Sequence, residues 1–200
     1  MKADSPGVGK APGAGRPRDP RIDAAILAAA AELLVEVGYA NLSLAAVAAR
    51  AGTTKTALYR RWPNKAELIH EAAFPVPPTA VTSSVGDTAA DIRSMVAGTR
   101  DAFTASVVRA ALPGLIADMA NDEALTTRIL SRFQPLFDAL RQWAGDAQAR
   151  GRLRAEADPD RVVEIIGGAA LFALLLHPRG DLDDGWVERT ATILIRGVIT

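Results

Sequence analysis

Between Ser43 and Lys65 lie the residues best suited to a chemical task. Lys55 and Tyr59 are four positions apart, so on a helix they share one face, with Thr56 beside them. Lys55 can donate to guanine O6 and N7 or to a phosphate. Thr56 can meet a thymine methyl or a phosphate, and the Tyr59 hydroxyl suits a phosphate oxygen. Arg60, Arg61 and Lys65 add cationic charge where another helix begins, and its amide-rich N-terminus also attracts anions. This is the chemistry of a contact with duplex DNA. The candidate DNA-binding set is Ser43, Thr54, Lys55, Thr56, Tyr59, Arg60, Arg61 and Lys65.

Catalysis has no comparable set. The chain has no Cys, which excludes a disulfide framework, a thiol nucleophile and a Cys-based zinc site. His70 and His177 match no zinc-motif spacing. No Ser-His-Asp grouping, phosphate-cradling glycine loop or paired-carboxylate site stands out. Asp122-Glu123 and Asp183-Asp184 sit at helix starts, where acids serve the helix dipole. The sequence predicts no enzyme activity, no cofactor and no metal.

The elements that position the cationic face follow from local signals. A first helix is predicted from Asp19-Pro20, with Ile26, Leu27, Ala30, Leu33, Leu34 and Val37 on one stripe. Gly38 ends it as a left-handed cap, and Tyr39 packs back or bonds locally. Ser43 caps a short helix over Leu44–Ala51, and Gly52 breaks it. Thr54 caps a second short helix from Lys55 to about Arg60, whose Leu58 faces the first. Trp62-Pro63-Asn64 stops it, and Asn64 caps a further helix to Phe74. Two short helices about a glycine turn are helix-turn-helix geometry, in which the second enters the major groove.

Composition agrees. Of 200 residues, 40 are Ala and only 5 % are aromatic, which favours an all-helical fold over a sandwich or barrel. Residues 1–65 hold ten Lys/Arg against five Asp/Glu, and 66–200 hold thirteen against eighteen, so the zero net charge hides a basic end and an acidic body. Residues 1–17 read as a disordered basic arm; Arg16, Arg18 and Arg21 are placed to touch a phosphate or a minor groove. No signal peptide is recognisable, and the longest apolar run, Ile165–Leu176, is twelve residues, against the roughly 20 a membrane span needs. A cytoplasmic protein with no membrane partner is expected.

The run from Gly38-Tyr39 through Leu58-Tyr59-Arg60-Arg61-Trp62-Pro63-Asn64-Lys65 to Leu68 resembles the DNA-binding domain of the tetracycline-repressor (TetR) family, over roughly residues 20–74. Ala149–Arg154 followed by Asp158-Pro159 also resembles one branch of it. The resemblance implies a homodimeric, all-α, one-component repressor with an N-terminal reading head and a C-terminal domain for effector binding and dimerisation. It implies that Lys55, Thr56 and Tyr59 read or grip a double-stranded DNA operator, with Arg61 and Lys65 at phosphates. Ala57 stands where many members carry a DNA-touching Thr or Ser. Thr53 replaces a usual apolar residue, so a less firmly anchored turn is expected. The same fold acting as an activator is one alternative; a helical interaction protein without sequence-specific DNA binding is another.

The chain divides into the arm at 1–17, the helix-turn-helix domain at 18–74, a Pro-rich linker at 75–87 and an effector-binding and dimerisation domain at 88–200. Helices are expected over Thr88–Ser106, Val107–Met119 with a kink at Pro113-Gly114, Glu123 to about Gln148, Asp158–His177 and Asp183–Ile199. The Asp158–His177 helix is apolar on several sides, so it and the last helix are expected to pack against their two-fold mates through Ile166, Ala170, Leu174, Trp186 and Ile193. Met95, Phe103, Leu112, Met119, Phe133, Phe137 and Phe172 are candidates to line an apolar pocket for a small-molecule effector.

Overall fold

Polar caps and two glycines cut the N-terminal sequence into helices much as the local signals predict. The structure, a computed structural model, describes residues 20–75, 87–176 and 182–199. The basic arm with Arg16, Arg18, linker residues 76–86 and His177 lie outside these.

Helix α1 (Pro20–Asn41) starts at the proline, whose missing N–H is no loss in a first turn. It buries Ile26, Ala29, Ala30, Leu33 and Leu34 on one stripe. At Gly38 φ is +75°, a conformation that glycine adopts without strain, and the chain turns there before Asn41. Then come α2 (Leu44–Arg50), α3 (Lys55–Tyr59) and α4 (Lys65–Ala73). Six helices follow: α5 (Thr88–Thr104), α6 (Ser106–Asn121), α7 (Glu123–Ser131), α8 (Gln134–Ala149), α9 (Pro159–Leu176) and α10 (Asp184–Val198). The fold is all-α. Among the described residues, no single helix is long and apolar enough to cross a membrane.

Two expectations need correction. The helix expected over Glu123–Gln148 is two helices, α7 and α8, separated by Arg132 and Phe133. Pro135 lies in the first turn of α8. Inside a continuous helix its ring would strike the Ser131 carbonyl, so the helix restarts. Second, α6 continues through Pro113 as one helix. The sharp change of direction lies at Ala105, where α5 and α6 meet at 80°. Helix α9 buries one stripe, Ile166, Ala170 and Leu174, within its own chain and leaves Ile165, Phe172, Leu175 and Leu176 exposed.

The largest core does not stop at the end of the four N-terminal helices. Ile26, Leu34, Val47, Leu58, Leu68 and Ile69 share one buried cluster with Val108, Ala111 and Leu115 of α6 and Leu125 and Ile129 of α7. Each such large aliphatic side chain contributes about 1.5–3 kcal/mol when fully buried. A second cluster joins α5, α8, α9 and α10 around Ile92, Val96, Trp143, Ile166 and Leu194. In it the Trp143 indole donates to buried Asp91 at 2.9 Å, which satisfies a polar group that the core would otherwise strand.

Candidate nucleic-acid interface

Three side-chain caps set the directions of α2, α3 and α4. Ser43 accepts from the Ala46 amide at 3.2 Å, Thr54 from Ala57 at 3.1 Å and Asn64 from Glu67 at 2.8 Å. Each satisfies an amide that a helix start leaves unpaired. The turn between α2 and α3 has Gly52 at φ +63°, and the Thr53 amide closes onto the Ala48 carbonyl at 2.9 Å. This backbone bond anchors the turn without the apolar side chain whose replacement by Thr53 suggested looseness.

Leu58 is fully buried, alongside Val47 of α2. That orientation turns Lys55, Thr56, Tyr59 and Arg60 outward together; Tyr59 is 51 % exposed, unusual for so large a ring. Ser43 and Thr54 are exposed too, with their oxygens engaged as caps. Arg21 lies exposed in the first turn of α1.

Arg61 and Lys65 are placed differently from the expectation. Arg61 is paired with Asp23 of α1, donates to the Ala57 carbonyl at 3.0 Å, and its side chain is only 9 % exposed. It braces the end of α3 against α1 and does not face outward with Lys55. The Lys65 ammonium donates to the Tyr39 and Ala40 carbonyls and stands 4.5 Å from the Tyr39 ring centroid. Burial holds its pKa below the ordinary lysine value.

Tyr39 reaches well beyond its neighbours. Its hydroxyl donates to Asp118 of α6, and its pKa rises through burial first and the Asp118 carboxylate second. Its ring lies over Gly114, where a Cβ would overlap it. The lysine expected at a phosphate therefore sits on a tyrosine that is itself seated on α6.

Sequence reasoning missed the polar ties between α4 and α7. Glu67 accepts from Arg128 at 2.8 Å and from the Asn64 amide at 3.2 Å. Glu71 accepts from Arg132 at 2.8 Å and from the Trp62 indole at 2.8 Å. Both arginines are about sixty positions from their partners, where no local pattern exists.

The residues proposed to line one pocket are divided. Leu112, Met119 and Phe133 pack on the first core, Met95 on the second and Phe103 on a third small cluster. Phe137 stacks on Phe133 with centroids 6.3 Å apart. Phe172 is 61 % exposed and lines no interior space. Of the predicted dimer contacts, Ile166, Ala170 and Leu174 face the core of their own chain and Trp186 is half-buried against it, while Ile193 is exposed. The exposed large apolar side chains are instead Ile165, Phe172, Leu175 and Leu176 on α9 and Ile193 on α10.

Comparison with known proteins matches both parts of the chain. The family model described as "Bacterial regulatory proteins, tetR family" matches residues 26–72. The model described as "Tetracyclin repressor-like, C-terminal domain" matches residues 84–194. A DNA-binding transcriptional repressor TetR of Mycobacteroides abscessus is 32 % identical over 178 residues, covering 83 % of this chain and 87 % of the relative. The uncharacterized HTH-type transcriptional regulator YdeS of Bacillus subtilis is 30 % identical, covering 92 % and 93 %. Among solved structures, that of the TetR family transcription regulator SCO0332 superposes with a TM-score of 0.68 at 28 % identity, covering 88 % of this chain and 98 % of that one.

Proposed function

The chain belongs to the tetracycline-repressor family of DNA-binding transcription regulators, and from that premise we propose that it is a cytoplasmic repressor, dimeric on a palindromic operator and released by a small-molecule effector. The observation that carries this reading is the outward face of α3. Lys55, Thr56, Tyr59 and Arg60 project from a helix whose opposite side is held by buried Leu58. Lys55 and Thr56 meet base edges or phosphates, and Tyr59 and Arg60 grip the backbone. Each phosphate neutralised steepens the log–log salt dependence by about 0.9.

In this reading residues 18–74 are the reading head, 75–87 the linker and 88–200 the effector-binding and dimerisation part. Two copies join through the exposed apolar side chains of α9 and α10; Ile165, Phe172, Leu175, Leu176 and Ile193 support this contact, each large, apolar and more than half exposed in the single chain. The effector favours a separation of the two heads that no longer matches successive major grooves. The Mycobacteroides relative, named a repressor, supports the negative sign of regulation.

Selection of bound sequences from random duplex DNA tests the proposal. The expected result is a palindrome whose half-site centres lie about one helical turn, or a small multiple of it, apart. Equal, weak binding to every duplex would overturn it.

A further inference from the structure

His70, on the last turn of α4, is 3 % exposed, and neither ring nitrogen has a hydrogen-bond partner among the described residues. Buried polar groups are nearly always paired, so two open nitrogens on one ring call for a reason. Burial foremost, with the nearby Arg132 cation, pushes the imidazole pKa down to about 4. The ring is therefore neutral at ordinary pH and offers one donor and one acceptor.

Its surroundings are aromatic. Phe74 and Phe133 each stand 5.3 Å from the imidazole centroid, and they stand 5.7 Å from one another. Phe137 stacks behind Phe133. Phe74, Phe133 and Phe137 are only part-buried, and Leu130, one turn before Phe133, is 47 % exposed. Phe133 also sits at the break between α7 and α8, outside both helices. One of the two rings packed on His70 is thus carried by the two-residue break between helices and not by a helix interior.

We propose that His70 is the polar end of an effector site for an uncharged aromatic molecule bearing a hydroxyl, which enters by displacing the Phe133 ring. The incoming ring takes over the contact that Phe133 makes and packs against Phe74 and Phe137. A hydroxyl both donates and accepts, so it satisfies either imidazole nitrogen. A charged ligand gains little: Arg132 is already paired with Glu71 at 2.8 Å, and the imidazole is neutral. Glu71 adjoins His70 in the chain and also holds the buried Trp62 indole, so occupancy is felt beside α3.

The site deepens the effector part of the proposed function but is tested without DNA, so its failure and a failure of operator recognition are separate results. Binding of 2-naphthol, naphthalene and 2-naphthoate to the full chain is measured by calorimetry. The expected order places 2-naphthol about tenfold tighter than the other two, the size of one uncharged hydrogen bond. His70→Phe abolishes that preference, and Phe133→Ala tightens 2-naphthol while keeping it. Equal affinity for 2-naphthol and naphthalene, binding of neither, or a preference that survives in His70→Phe overturns the proposal. Should His70→Phe fail to fold, the ¹⁵N resonances of the His70 ring in the unmodified protein decide: they shift on adding 2-naphthol, and unmoved resonances overturn the site.

Discussion

The Trp62 indole donates to a Glu71 carboxylate oxygen at 2.8 Å, and Arg132 of α7 reaches the same oxygen at 2.8 Å. One turn earlier, a single Glu67 oxygen takes both Asn64 and Arg128. Two acids on α4 thereby bind α7 to the residues that follow α3. The arginines are more than a third exposed, so each ion pair alone contributes about 1 kcal/mol or less. The indole is a different matter, since Trp62 is 4 % exposed and losing its acceptor strands a largely buried N–H. Glu71→Ala should cost about 1–3 kcal/mol in urea unfolding, and Glu71→Gln, which can still accept from the indole, less. Equal losses would show that the carboxylate charge, and not the indole bond, is what matters.

Lys55 and Arg61 test the proposed division between DNA contact and support. Lys55 is exposed, so Lys55→Ala should leave the melting temperature unchanged, weaken operator binding and, where it meets a phosphate, lower the salt slope by about one. Arg61→Ala removes the Asp23 pair and the bond to the Ala57 carbonyl, and should destabilise the fold by about 1–3 kcal/mol. Paired measurements of thermal unfolding and operator affinity on both variants check this. An Arg61→Ala protein of full stability would return Arg61 to the DNA-facing set.

The contrast between these two residues explains what was legible in the sequence. Ser43, Thr54 and Asn64 cap through bonds that span three residues, so their roles are readable locally. Arg61 looks like its neighbour Arg60 until Asp23, far back in the chain, turns it inward. On α9 the inward stripe Ile166-Ala170-Leu174 and the outward stripe Ile165-Phe172-Leu176 are both apolar at helical spacing, so periodicity cannot say which faces the core. Pro135 is the opposite case, a local stop signal hidden by apolar periodicity on both sides.

Gly114 and Tyr39 supply a steric test of how α1 sits on α6. A methyl at Gly114 would overlap the Tyr39 ring, which must then move away from Asp118. Alanine otherwise favours a helix over glycine by about 1 kcal/mol. Gly114→Ala should nevertheless destabilise the protein, by about 1–3 kcal/mol, because overpacking outweighs propensity. Tyr39→Ala in the same background should recover part of that loss. Stabilisation by Gly114→Ala alone, read in thermal unfolding, would contradict the contact.

His70 gives the stability a pH dependence of definite sign. Its pKa in the folded chain is lowered to about 4 from an ordinary 6.5, with Arg132 opposing the proton and Glu71 favouring it. The unfolded chain therefore binds a proton that the folded one refuses. The contribution of neutral His70 is fully present above pH 6.5 and is lost as pH falls from there toward 4, at up to about 1.4 kcal/mol per pH unit. Urea unfolding across that window should show the loss, and His70→Phe should flatten it. A slope unchanged in the variant would assign the acid lability to other groups.

Phe172 and Ile193 test the proposed assembly. They are 61 % and 72 % exposed, on α9 and α10, where an isolated chain would leave them in water. Leu174, two positions from Phe172, is 9 % exposed and serves the chain's own core. The two stripes thus make opposite predictions. Phe172→Glu with Ile193→Glu should convert a dimer to a monomer in sedimentation without loss of helical circular dichroism, because an introduced carboxylate must either stay hydrated or prevent the contact. Leu174→Ala should instead lower stability by about 2–5 kcal/mol. Loss of the dimer should also cost operator affinity, since one head grips one half-site and the second head then binds at high effective concentration. A double glutamate variant that remains dimeric would move the two-fold contact to another face of the molecule.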